Sequence, residues 1–196
     1  MTLPAGDTAR HHDEVTLGVA IAIPEPHATV LATWRRRVGD PAADKVFPHV
    51  TLLPPTPVPS AALGAIDTHL KSVAAGYRPF VMHLSGTGTF RPMSPVVFIQ
   101  IARGVGDCET LEQAIRSGPL ERDLEFPYHP HVTVAQDLAD AALDDAYDGL
   151  GDFVARFSVA SIALFSRDGD GRWSWHTEFP LGNPDPADSK QESSTP

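Results

Sequence analysis

A single cysteine, Cys108, stands among 196 residues. No disulfide can form within the chain, so a packed core has to hold it together, and a lone thiol fits a reducing cytoplasm. No apolar run approaches the length of a membrane-spanning helix. The first fourteen residues lack an apolar stretch and include Asp7, Asp13 and Glu14, unlike a secretory signal. Positive charge is also scarce: 15 Lys and Arg face 25 Asp and Glu, a net charge of -10. The imbalance is local. Glu121 to Asp152 holds nine acids and one arginine, whereas Val15 to Leu120 holds nine basic and seven acidic residues. A broad basic stripe for duplex nucleic acid is therefore excluded, and a small phosphorylated ligand or the end of an RNA fits the charge better.

Composition and punctuation divide the chain into a leader (1–13), one domain (14–182) and a Pro-, Ser- and Asp-rich tail (183–196) expected to be disordered. Within the domain, the apolar run Val15 to Ile23 predicts a central strand. Pro24 and Pro26 open a helix with Val30, Leu31, Trp34 and Val38 on one stripe and Arg35, Arg36 and Arg37 mostly outside it. A strand from Phe47 to Leu53 is expected to end at Pro54, Pro55, Pro57 and Pro59. A helix over Ser60 to Ala75 follows, then strands over Tyr77 to Phe90 and Val96 to Ala102. Next come a helix over about Glu109 to Ser117, a strand from His131 to Gln136 and a helix over about Leu138 to Leu150. Strands from about Arg156 to Arg167 and from Trp173 to Leu181 close the domain around the turn Asp168-Gly169-Asp170-Gly171. The order β-α-β-α-β-β then α-β-α-β-β suggests a diverged internal duplication of α+β type.

The tetrad His49-Val50-Thr51-Leu52 returns 82 positions later as His131-Val132-Thr133-Val134, each copy preceded by Pro48 or Pro130. Strand alternation puts His and Thr of each copy on one face and the apolar residues on the other. Pro26-His27-Ala28-Thr29-Val30 fits the same pattern but begins a helix, where residues two apart do not share a face. Two such strands across a cleft bring two imidazoles and two hydroxyls around one small anion. Histidine titrates near neutrality, so one ring can act as acid and the other as base. Thr51 and Thr133 can donate to the oxygens on which charge develops. Phe47 and Tyr128 are candidates to flank the cleft, Tyr128 by stacking on a base, and Arg91 is a candidate phosphate contact. A zinc site at His129 and His131 is disfavoured, because both motifs spend their second polar position on threonine, a poor ligand.

On these motifs, with the segments FPHVTLLPP, LSGTGTF followed by PVVFIQI, YHPHVTVAQ and SIALFSRDGDGRWSWHTEFPL, the chain resembles the 2H phosphoesterase superfamily, including its bacterial RNA 2',3'-cyclic phosphodiesterase (2'-5' RNA ligase-like) group. The resemblance runs from about residue 15 to 182. It implies a bilobal α+β fold: two antiparallel sheets related by a pseudo-twofold around a central cleft, with helices outside. It also implies metal- and cofactor-free chemistry at cyclic phosphates or 2'-5' linkages. His49 would serve as acid and His131 as base, leaving a 2'-phosphate. The expected partner is a small cyclic nucleotide or an RNA 3' end, handled by a monomer without duplex nucleic acid or membrane. A basic residue often follows the second motif in the RNA-directed group; Gln136 stands there instead. A reading from another class uses the same cleft to hold a nucleotide or RNA end without turnover.

Overall fold

The computed structural model describes residues 14–124 and 126–182; the expected leader and tail lie outside them. The strands are β1 (Glu14–Ala22), β2 (His49–Pro59), β3 (Phe80–Thr89), β4 (Val96–Arg103), β5 (His131–Gln136), β6 (Val154–Val159), β7 (Ser161–Arg167) and β8 (Trp173–Pro180). The helices are α1 (His27–Arg37), α2 (Leu63–Ala75), α3 (Val105–Ile115) and α4 (Asp140–Gly149). Among the described residues, no helix is long and apolar enough to cross a membrane.

The strands form two four-stranded sheets, ordered β2-β1-β7-β8 and β5-β4-β3-β6, and every paired neighbour is antiparallel. The expected bilobal α+β architecture is therefore present. Each motif strand is the outer strand of its sheet, hydrogen-bonded to β1 or β4. Thr51 lies opposite Ala20 and His49 opposite Ala22; Thr133 lies opposite Phe98 and His131 opposite Gln100. The two motif strands thus pair alike, β2 with β1 and β5 with β4, whereas the sequence division puts both partner strands in its first half. Helices are exchanged between the halves. α3 packs on β2 and α2 on β8, whereas α1 and α4 both pack on β5. Each lobe thus borrows a helix from the other half, and one apolar core runs through both.

Four expectations need correction. The prolines after the first motif do not end the strand: β2 continues to Pro59, with Pro57 opposite Thr16 and Pro59 opposite Glu14. An outer strand loses no ladder bond to proline's missing N–H on its free side. The segment before β5 covers that free edge. Arg122 Nη1 donates to Thr56 Oγ1 (2.6 Å), and the Tyr128 hydroxyl donates to the Thr51 carbonyl (2.9 Å). Second, the run expected as one strand from Arg156 to Arg167 is two, β6 in one sheet and β7 in the other, parted at Ala160. Third, Arg35 is not outside the buried stripe of α1. It is 6% exposed, pairs with Asp40 at 2.8 Å and donates to the Val46 carbonyl at 2.7 Å, while Val30 is exposed. A buried arginine is tolerable when its donors are satisfied this way. The pair fixes the loop that leads into β2. α3 also begins four residues before its expected start.

Candidate active site

Alternation places the motif side chains as the sequence predicts. Val50, Leu52, Val132 and Val134 are sealed in the core, while His49, Thr51, His131 and Thr133 are half-buried on the opposite faces of their strands. His27 sits at the start of α1 against Phe153 and Phe157, apart from this arrangement.

The two imidazoles are held alike. His49 Nδ1 donates to the Phe47 carbonyl and His131 Nδ1 to the His129 carbonyl, both at 2.7 Å. Each bond reaches two residues back along the chain and fixes the Nδ1–H tautomer, leaving Nε2 as the unprotonated nitrogen of the neutral ring. In the first lobe the Thr51 hydroxyl donates to His49 Nε2 at 3.1 Å.

Aromatic rings wall both histidines. The Trp173 ring lies 5.1 Å from His49 and the Phe47 ring 5.3 Å. Phe90 and Phe98 each lie 5.1 Å from His131. Two glycines make room for these rings. A Cβ on Gly18 would come within 2.6 Å of the Trp173 ring, and one on Gly88 within 2.6 Å of Phe98. The walls have an electrostatic consequence. Burial pushes the His49 pKa down to about 4, against the raising effect of its bond to Phe47; the charges of Arg35 and His131 lower it further. Burial lowers His131 as well, opposed by its bond to His129 and assisted by the His129 charge. Both rings are therefore predominantly neutral at pH 7 in the unliganded protein.

The flanking candidates take more structural positions. Phe47 packs on Phe165 (4.4 Å) and supports His49 from below. Tyr128, half-buried, spends its hydroxyl on the Thr51 carbonyl and so ties the approach to the second motif onto the first. Arg91 is bound to α4: Nη2 reaches Asp144 at 2.8 Å and Nη1 reaches Asp140 at 3.7 Å. Sequence reasoning missed Trp173, Phe90 and Phe98 as walls. The alternation in Trp173-Ser174-Trp175 was the available signal for two aromatics on one strand face. Among the described residues, no group of three or more His, Cys, Asp or Glu side chains gathers as a metal site.

Comparison with known proteins bears on the family and the fold. Residues 23–171 match the family model of the 2'-5' RNA ligase superfamily. A candidate phosphoesterase of Bacillus cytotoxicus is 29% identical over 168 residues, covering 85% of this chain and 96% of its own length. A similar protein of Bacillus mycoides is 28% identical over the same shares. Among solved structures, E. coli LigT in complex with phosphate superposes with a TM-score of 0.64 at 20% identity, covering 87% of this chain and 99% of that one. LigT in complex with 3'-AMP gives 0.63 at 20%, covering 87% and 100%. TT0787 of Thermus thermophilus gives 0.58 at 22%, again covering 87% and 100%. The solved structures share the fold, the curated relatives share most of the sequence span, and the family model takes in both motif strands: the chain belongs to the 2'-5' RNA ligase superfamily, the 2H phosphoesterases.

Proposed function

We propose that the protein is a metal-independent cyclic phosphodiesterase that hydrolyses a 2',3'-cyclic phosphate, on an RNA end or a small nucleotide, to a 2'-phosphate. The observation that carries this reading is the paired geometry of His49 and His131. Each is locked in the same tautomer by a carbonyl two residues back, on equivalent strands, with Nε2 left for chemistry. Water attacks phosphorus as His131 Nε2 takes its proton. The bond from phosphorus to the 3' oxygen breaks, and His49 Nε2 delivers the proton that the departing oxygen needs. Once His49 Nε2 carries a proton, the Thr51 hydroxyl no longer donates to it, and Thr51 and Thr133 donate to the non-bridging oxygens, where negative charge builds in the transition state. The bound phosphate anion offsets the burial that otherwise keeps both rings neutral, so substrate itself favours the protonated acid. E. coli LigT, which takes phosphate and 3'-AMP, supports a small phosphorylated nucleoside as the ligand class.

The test is turnover of 2',3'-cyclic nucleotides in EDTA. Wild-type protein should release the 2'-phosphate, and His49→Ala or His131→Ala should each lose about 10²–10⁴-fold in kcat, the usual worth of a general acid or base. Near-full activity in either variant, or activity abolished by EDTA, overturns the reading.

A further inference from the structure

A groove of about 400 Å³ lies between α1, residues 43–48 and the start of β8, and it shares a wall with the catalytic histidine of the first lobe. Phe47 accepts the His49 Nδ1–H through its carbonyl and also lines the groove. Trp173 lies 5.1 Å from the His49 ring, lines the groove, and donates its backbone N–H to the Lys45 carbonyl at 2.9 Å. Lys45 precedes His49 by four residues, which span at most about 14 Å of backbone.

Lys45 and Arg172 line the groove. Lys45 Nζ donates to the Asp170 carbonyl at 2.9 Å, and Arg172 Nη1 to the Asp44 carbonyl at 3.2 Å. Carbonyl acceptors fix the side chains in place, while the Asp168 carboxylate accepts the backbone N–H of Arg172 at 2.8 Å. Among the described residues, neither side chain has a carboxylate within ion-pair distance. The other charged lining residues, Arg36 against Asp44 and Glu25, leave the five together with one positive charge in excess. Arg36 pairs with Asp44 at 2.7 Å, and Glu25 accepts the Thr29 N–H at the start of α1. In a chain of net charge -10, a groove lining with one positive charge in excess stands out. The second lobe offers no match at Arg91, whose charge Asp144 and Asp140 already meet.

We propose that this groove is an anion subsite, held by Lys45 and Arg172, for a second phosphate of the substrate, the one on the 5' oxygen of the nucleoside whose cyclic phosphate lies between His49 and His131. The inference rests on the cyclic phosphodiesterase reading and narrows it to 5'-phosphorylated or polymeric substrates. Arginine supplies a planar fork and lysine a point charge, a pairing suited to tetrahedral phosphate. The subsite also orients the substrate. A 5'-phosphate in the groove puts the ribose on the His49 side, where His49 can protonate the departing ribose oxygen, and leaves the His131 side to water.

The test compares kcat/KM for adenosine 2',3'-cyclic phosphate, its 5'-phosphorylated form and the dinucleotide ApA ending in a 2',3'-cyclic phosphate, in wild type and in Lys45→Ala/Arg172→Ala. Wild type should favour both 5'-phosphorylated substrates by about tenfold, mainly through KM, and in the double variant the ratio should fall to about one. A 5'-phosphorylated mononucleotide that matches the dinucleotide places the preference on phosphate; a preference confined to the dinucleotide places it on the second nucleoside and overturns the proposal. Equal rates in wild type, or a preference that survives in the variant, overturn it too. Calorimetric binding of adenosine 2'-phosphate and adenosine 2',5'-bisphosphate keeps the two readings separate. If no substrate turns over, the hydrolase reading fails. Tighter binding of the bisphosphate, lost in the variant, still supports the subsite, and equal binding overturns it.

Discussion

At the scale of single residues, burial of the two histidines sets the working pH of the proposed chemistry. That chemistry needs one ring protonated and the other neutral, and kcat/KM reports the pKa values of the free protein. Burial lowers His49 to about 4 and moves His131 below its usual 6.5. Both limbs of the kcat/KM bell should therefore lie on the acid side of 6.5, with activity falling towards neutrality. An anionic substrate raises both rings, so the bell for kcat should lie at higher pH than the bell for kcat/KM. The order holds whichever ring is the acid. Full pH profiles of both parameters check it, and a kcat/KM optimum at or above pH 7 would show that burial does not govern the site. From the tetrads alone, a bell near neutrality is expected. The difference comes from Trp173, Phe90 and Phe98, which reach the histidines only through strand pairings distant in sequence. The motif residues were legible because alternation is local; their environment was not.

At the scale of elements, the site depends on strands approaching closely. Gly18 of β1 leaves room for the Trp173 ring that covers His49. In Gly18→Ala the new methyl group needs the space of that ring, whose displacement exposes His49 and loosens its orientation. The expected outcome is a fall in kcat of about tenfold or more with the fold retained, since small misplacements at a catalytic group are costly. Kinetics beside circular dichroism check this; unchanged kcat would remove Trp173 from the positioning of His49. The tie between the motifs can be tested through Tyr128→Phe, which removes only the donor to the Thr51 carbonyl. It should cost about 1 kcal/mol in urea unfolding, the usual worth of one such bond. A free energy equal to wild type would mean that water serves the carbonyl equally well. Most elements were readable from apolar runs and Pro and Gly punctuation. The exceptions share a cause in tertiary placement. Prolines persist in β2 because it is an outer strand, Arg35 is buried because Asp40 meets it, and the run through Ala160 breaks because its halves join different sheets.

At the scale of the whole molecule, the exchanged helices and the common core make the two lobes one cooperative body, so the protonation of a single site is felt in global stability. The sign follows from where protons bind. In the unfolded chain His49 titrates near 6.5, and in the folded protein near 4. Between those values the unfolded state holds more protons, so folding stability rises with pH through this window. The contribution is fully present above 6.5 and is lost as pH falls towards 4. Its full size is about 3 kcal/mol, a substantial part of the 5–15 kcal/mol typical of a domain. His131 adds a contribution of the same sign. Carboxylates also titrate on acidification, but they do so alike in wild type and in a His49→Gln variant, so the difference between the two proteins isolates His49. Urea unfolding at pH 7 and at pH 4.5 should show the wild type losing more stability than the variant, by about 2 kcal/mol of that total. Equal losses would place the His49 pKa near its ordinary value. They would also return the expected activity optimum to neutrality, because the same burial that weakens the fold in acid keeps both motif rings neutral until an anion enters the cleft.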